Sequence, residues 1–190
     1  EGELTMAKPR RKRRAGGGKS KGSSFEREVC KALSLWVSNG KNEDLFWRSA
    51  MSGGRATVGR KAGKSHKAHA GDISCTHARG HVLTDYWCIE CKFYKDLNID
   101  LFMFGKGGNL DRFWKQAWDA AHENEKVPML IAKQNFKPTI VVVPLSELAD
   151  FNWAELASIA QFEMHDVAIL DFDSMVKSDP AFRYRVKVQR

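Results

Sequence analysis

The sequence contains no apolar run of membrane-spanning length. Charged residues make up 28% of the 190 and break every hydrophobic stretch far short of the roughly 20 residues a transmembrane helix requires. The opening segment also lacks the apolar core of a secretory signal, being polar and then strongly basic, so the expectation is a cytoplasmic protein with no membrane partner. Cysteine is scarce: Cys30, Cys75, Cys88 and Cys91 are the full complement, too few for a disulfide framework in a chain of this length. Cys88 and Cys91 have CxxC spacing, but the residues around them read as a β-strand, where positions three apart point to opposite faces. His66, His69, Cys75 and His77 match no closed tetrahedral zinc pattern, and reduced cysteines are the better reading. Proline is sparse as well, at five, while 43% of the residues are hydrophobic, enough for one compact α/β domain with appendages.

Acidic residues are missing from two stretches. Between residues 8 and 21 there are eight basic side chains (Lys8, Arg10, Arg11, Lys12, Arg13, Arg14, Lys19, Lys21), and these account for the whole formal charge of +8. The second stretch, 48 to 71, carries Arg48, Arg55, Arg60, Lys61, Lys64 and Lys67. A single charge run is usually only a solvated surface. Two glycine-rich basic runs point to a polyanion, with nucleic acid the leading candidate.

Residues 1 to 21 read as a flexible basic arm, in which Gly16-Gly17-Gly18 opposes helix formation. A helix then starts at Ser23 or Ser24, with Phe25, Val29, Ala32, Leu33 and Trp36 on one face, and Asn39-Gly40 ends it. A short strand over 45 to 48 precedes a long glycine-rich loop, 52 to 71. Residues 72 to 76 and 82 to 93 read as an antiparallel pair turning near Arg79-Gly80. After a loop with Gly105, Gly107 and Gly108 comes a helix over about 110 to 123, striped by Leu110, Phe113, Trp114, Ala117 and Ala121. Strands follow at 129 to 132 and 139 to 143, then a helix near 153 to 159 and a last strand marked by Phe182, Tyr184, Val186 and Val188. Residues 22 to 144 form the expected core, with 145 to 190 as an extension packed on it. The fold class is α/β, a mixed β-sheet flanked by helices.

The chemistry concentrates in Gly71-Asp72-Ile73, followed eighteen residues after Asp72 by Glu90-Cys91-Lys92. On a strand Glu90 and Lys92 share one face, while Trp87, Ile89 and Cys91 share the other and can pack on a core. An Asp at the start of a neighbouring strand can sit beside Glu90. Two carboxylates held together repel, which calls for a cation between them, and hard oxygen donors suit Mg²⁺ or Mn²⁺. A metal so held can acidify water and neutralise charge on a phosphoryl group. Lys92 can place the attacking water or stabilise the pentavalent phosphorus.

These segments resemble the D…ExK core of the PD-(D/E)xK nuclease superfamily, and more narrowly the archaeal-type and phage Holliday-junction resolvases. The opening helix residues Gly22-Ser23-Ser24-Phe25-Glu26-Arg27-Glu28 are similar to that group's GxxxERE pattern. Arg48-Ser49-Ala50-Met51-Ser52-Gly53-Gly54 is similar to its serine- and glycine-containing loop, and 116 to 133 to its later helix and strand. The resemblance covers about residues 22 to 144 and implies a restriction-endonuclease-like core. It implies Asp72 and Glu90 as metal ligands, Lys92 as the catalytic lysine and Glu26 as the helix carboxylate completing the site. Ser52 and Gln116 become candidate DNA contacts beside Arg48, Arg55, Arg60, Lys61, Lys64 and Lys67. The implied activity is Mg²⁺- or Mn²⁺-dependent hydrolysis of branched DNA by a homodimer with paired sites, in a bacterial, archaeal or phage-infected cell. The chain departs from the archaeal pattern in its longer 52 to 72 loop, its 76 to 84 turn and some 45 residues after Pro144, which leaves the exact substrate open.

Each of these residues also has a plainer reading. Glu90 and Lys92 could be a surface ion pair on an exposed strand. Ser23-x-x-Glu26 is also a capping box, and helical periodicity does not choose between Glu26 and Glu28. Gln116 could be an ordinary exposed helix position, and Gly105-Lys106-Gly107-Gly108 a connector. Trp47, Trp87, Trp114 and Trp118 could stack on bases, although Trp87 and Trp114 fit the core better. Two rival functions remain: a restriction-like or phage endonuclease acting on duplex or nicked DNA, and a non-catalytic basic DNA-binding protein.

Overall fold

A computed structural model describes residues 17–49, 70–150, 153, 159–162 and 167–179. Helix α1 (Gly17–Ser38) is followed by the short strands β1 (Phe46–Arg48) and β2 (Ile73–Cys75), a 3-10 turn (Ala78–Gly80), the helical turn α2 (His81–Thr84) and strand β3 (Trp87–Tyr94). Next come α3 (Ile99–Met103), α4 (Asn109–Glu123), β4 (Val127–Gln134), β5 (Thr139–Pro144), α5 (Glu147–Asp150), β6 (Ile159–Phe162), β7 (Val167–Asp171) and α6 (Phe172–Lys177). The main sheet has the order β3-β4-β5-β7-β6. β3 and β4 are parallel, with α3 and α4 in the crossover between them, and the other neighbours are antiparallel. β1 and β2 form a separate antiparallel pair. The mixed sheet flanked by helices is the architecture expected from the sequence.

The alternation of the strands sorts the core into two layers. Trp87, Ile89, Cys91, Met129, Ile131, Val141, Val143, Ala168 and Leu170 pack with Phe25, Val29, Leu33 and Trp36 of α1. Leu130, Ala132, Ile140, Val142, Val167 and Ile169 pack with Leu110, Phe113, Trp114 and Ala117 of α4. Both faces of β4, β5 and β7 are thus covered, which is why those segments read as continuous apolar runs rather than alternating ones. Each large side chain buried this way contributes about 1.5–3 kcal/mol. Trp87 and Trp114 are buried as expected, whereas Trp47 and Trp118 are exposed.

Four expectations need correction. First, α1 begins at Gly17, not at Ser23 or Ser24. Ser23 Oγ donates back to the Ser20 carbonyl within the helix, and the Lys21 ammonium lies 5.5 Å over the Phe93 ring, an anchor that holds the early turns. Glu26 therefore sits in mid-helix, and the capping-box reading falls. At the other end, Asn39 and Gly40 take positive φ and their amides close the last turn onto Trp36 and Leu35, as the Asn-Gly pair suggests.

Second, residues 72 to 93 do not form a hairpin. β2 pairs with β1, and the apolar residues Val82 and Leu83 lie in a helical turn rather than in β3. The turn is set by His77, whose ring accepts from the Arg79 amide, and by Gly80, where a Cβ would come within 2.9 Å of Phe46. Third, the region after Pro144 supplies β7, which lies inside the sheet between β5 and β6, and α6, neither of them expected. Fourth, Ile159 begins β6 instead of ending a helix. The last strand expected around Phe182 to Val188 lies outside the described residues, as do residues 154 to 158 and the arm before Gly17. No helix among the described residues is long and apolar enough to cross a membrane.

Candidate active site

β3 is an edge strand of the main sheet, and its outer edge carries the chemistry. The chain arrives there through Gly71, which makes a parallel bridge to Ile89, and the Asp72 amide donates to the Ile89 carbonyl at 2.8 Å. Gly71 has φ +81, and a Cβ at this position would lie 2.5 Å from the Ile89 oxygen, so only glycine allows the approach. Gly71→Ala is expected to cost about 2–3 kcal/mol through backbone strain and to draw Asp72 away from β3. Thermal melting checks the first effect, and a weakened response of the melting midpoint to added Mn²⁺ checks the second.

With its backbone pinned, Asp72 turns its carboxylate onto β3, where Oδ2 accepts from the Cys91 amide at 2.9 Å. Its carbonyl accepts from the Ser49 amide, tying the end of β1 to the same point. Glu90 lies in the middle of β3 and is as nearly buried as Asp72, at 7% and 8% exposure. Lys92 Nζ stands 2.9 Å from Glu90 Oε2 and 3.9 Å from Asp72 Oδ2. Three of the four expected catalytic residues thus come together, and the surface-ion-pair reading of Glu90 and Lys92 does not survive their burial.

The electrostatics follow from two acids sharing one ammonium. Burial, then the charge of Glu90, pushes the Asp72 carboxyl up to about 6, against the opposing pull of Lys92 and the Cys91 amide. For Lys92, burial pulls the ammonium down, but the charges of Glu90 and Asp72 outweigh it and its pKa is raised. The pair of carboxylates carries one negative charge more than Lys92 neutralises. Adjacent, largely dehydrated carboxylate oxygens with excess negative charge fit a hard divalent cation such as Mg²⁺ or Mn²⁺. Thiol chemistry does not fit: burial pushes Cys30 and Cys88 up to about 12, and Cys91 is raised as well. All four cysteines are free, and Cys88 and Cys91 point to opposite layers of the core as the strand reading requires.

Glu26 is not part of this cluster. Among the described residues no group of three or more His, Cys, Asp and Glu side chains is placed to hold a metal. The Glu26 carboxylate accepts from Arg48 Nε, and Arg48 is in register with Ile73, one residue from Asp72. Glu28 instead reaches Lys133, so of the two acids in the opening helix it is Glu26 that faces the β1–β2 side. Gln116 is exposed on α4. That helix packs Phe113 on Tyr94 at one end and Ala121 on Cys88 at the other, so it runs antiparallel across the positions of Glu90 and Lys92. Gly108 is the N-cap residue of α4, which makes the glycine run a connector. Ser52, Arg55, Arg60, Lys61, Lys64 and Lys67 lie outside the described residues, as do His66 and His69. Sequence reasoning misses the Arg48–Glu26 pair and the Cys91 amide on Asp72, because neither a long-range ion pair nor a main-chain donor leaves a motif.

The chain matches no curated protein and no solved structure. Residues 17–180 match the model of the family described as "Phage putative PDDEXK endonuclease", a span that takes in the three clustered residues and also β6, β7 and α6. By that match the chain belongs to the phage PD-(D/E)XK endonuclease family.

Proposed function

We propose that the protein cleaves DNA phosphodiester bonds at Asp72, Glu90 and Lys92 with Mg²⁺ or Mn²⁺, and that its substrate is branched DNA, specifically a four-way junction cut by a homodimer. The observation that carries the reading is the pair of buried, adjacent carboxylates sharing one lysine at the edge of the main sheet. Asp72 and Glu90 would hold the cation, which supplies charge neutralisation and an acidified water when bound. Lys92 donates to the phosphoryl oxygen or to the attacking water, and Glu90 holds its ammonium in position. The Cys91 amide fixes the Asp72 carboxylate, so the ligand geometry is set before substrate arrives. Glu26 acts through Arg48, which it anchors beside β2, and could complete the metal shell only by leaving that pair. Arg48, Arg55, Arg60, Lys61, Lys64 and Lys67, with Ser52 and Gln116, would hold the DNA backbone.

The test compares a labelled four-way junction with a duplex of the same arm sequence, each incubated with Mg²⁺, with Mn²⁺ and with chelator. Paired, symmetric, metal-dependent cuts in the junction alone are the expected result. Equal cutting of both substrates overturns the junction specificity and leaves a duplex endonuclease. No cutting under any condition, with DNA still bound, overturns the catalytic reading.

A further inference from the structure

We propose that Tyr94, braced by Phe113, whose ring also carries Arg112, is a platform on which an unstacked DNA base rests next to the cleaved phosphate. The inference rests on the proposed cleavage site and extends it to the question of how branched DNA is distinguished from duplex.

Strand alternation sets Glu90, Lys92 and Tyr94 in a row on the α4 face of β3, with neighbours about 7 Å apart. Exposure increases along the row, from Glu90 at 7% to Tyr94 at 43%, so the row reaches solvent at the tyrosine. Isolated exposed aromatics are ordinary, but this one is held in place. Its ring meets Phe113 edge-on, with centroids 5.3 Å apart at 74°, and Phe113 is itself buried in the α4 layer. The Arg112 guanidinium lies 4.8 Å over the Phe113 ring. Among the described residues its other contact is a hydrogen bond to Asn109, and no acid pairs with it.

A fixed aromatic ring and a guanidinium without an acidic partner among the described residues, beside a phosphate-cleaving row, match the chemistry of one nucleotide: a base to stack and a phosphate to neutralise. Bases inside a duplex have both faces covered by their neighbours. The platform is usable only where a base face is uncovered: at a branch point, where stacking is interrupted, or at a fork or flap, where bases are unpaired. It would therefore add affinity for branched DNA and none for duplex.

The experiment measures binding by the full chain in chelator, so that no cleavage occurs, to a forked DNA with 2-aminopurine at the branch point and to the matched duplex. Tyr94→Leu, which keeps apolar cover on Phe113, should weaken fork binding about tenfold and leave duplex binding within about twofold. Tyr94→Phe keeps the ring and should match wild type. The 2-aminopurine should be quenched by wild type and Tyr94→Phe but not by Tyr94→Leu. Arg112→Gln should weaken both DNAs and lower the salt dependence by about one phosphate contact. Wild-type fork binding by Tyr94→Leu, equal losses on fork and duplex, or persistent quenching would overturn the platform. An unchanged salt slope in Arg112→Gln would remove its phosphate role. Metal-dependent cutting by the wild type, assayed separately, judges the cleavage site itself, so either proposal can fail without the other.

Discussion

Asp72→Asn protein, stripped of metal and held at pH 7.5, should melt at a higher temperature than wild type, and with metal restored it should cleave at least about a hundredfold more slowly. The two effects have one cause. Burial and the neighbouring Glu90 make the charged form of Asp72 unfavourable in the folded chain, raising its pKa from 3.8 to about 6. A folded-state pKa above the unfolded value means that the fold prefers the protonated acid. The contribution of Asp72 to stability is therefore largest below about pH 4 and is withdrawn as the pH rises through about 6. Asparagine keeps an oxygen for the Cys91 amide and carries no charge. It should relieve about 2 kcal/mol of repulsion at neutral pH, a gain on the order of 5 °C. Below about pH 4 the two proteins should melt together. The same protonation sets the pH profile: at limiting Mn²⁺, wild-type cleavage should fall as the pH drops below about 6 and recover with excess metal. Melting curves across pH 4 to 8, with and without Mn²⁺, read all of this, and an Asn protein less stable than wild type at neutral pH would contradict it.

Lys92→Met should lose cleavage just as completely but shift stability the other way. Lys92 Nζ is the counter-charge placed on both carboxylates, at 2.9 Å and 3.9 Å. Its removal leaves two adjacent buried acids with nothing to offset them. Breaking a fully buried pair costs about 3–5 kcal/mol, and because the Lys92 side chain keeps 20% of its exposure the expected loss is nearer 2 kcal/mol. The deficit should close when Mn²⁺ is added, because the cation replaces the missing positive charge while the catalytic donor stays absent. Calorimetry should accordingly find metal binding retained in Lys92→Met and lost in Asp72→Asn. Loss of metal binding in both variants would mean that Lys92 organises the ligands rather than acting on the substrate.

Both variants change residues that the amino-acid sequence alone marks out. The alternation of β3, with Trp87, Ile89 and Cys91 inward and Glu90 and Lys92 on the other face, is a period-2 pattern long enough to read. The five-residue stripe of α4 is equally plain at period 3.6. Gly71-Asp72 is recognisable as a pair, but its parallel approach to the β3 edge is not, because a single bridge between distant segments has no periodicity. The short run Val82-Leu83 reads as strand because a few apolar residues fit either period; His77 and Gly80 decide it for the helical turn. β7 escapes notice for a related reason. A strand buried on both faces shows an unbroken apolar run, and Val167 to Leu170 is too short a run to declare itself. Glu26 shows where motif reading stops. Its sequence context fits a helix cap and a metal ligand alike, and only the position of Arg48 across the fold shows which partner it takes.

The assignment of catalysis to Asp72, Glu90 and Lys92 is tested most directly by cleavage of a labelled branched DNA. Wild type and Asp72→Asn are run side by side, with Mn²⁺ and with excess chelator. Wild type should cut with metal alone, and Asp72→Asn should not cut although it is folded and still binds the DNA. Undiminished cutting by Asp72→Asn, or cutting by wild type in chelator, would place the chemistry elsewhere and contradict the assignment.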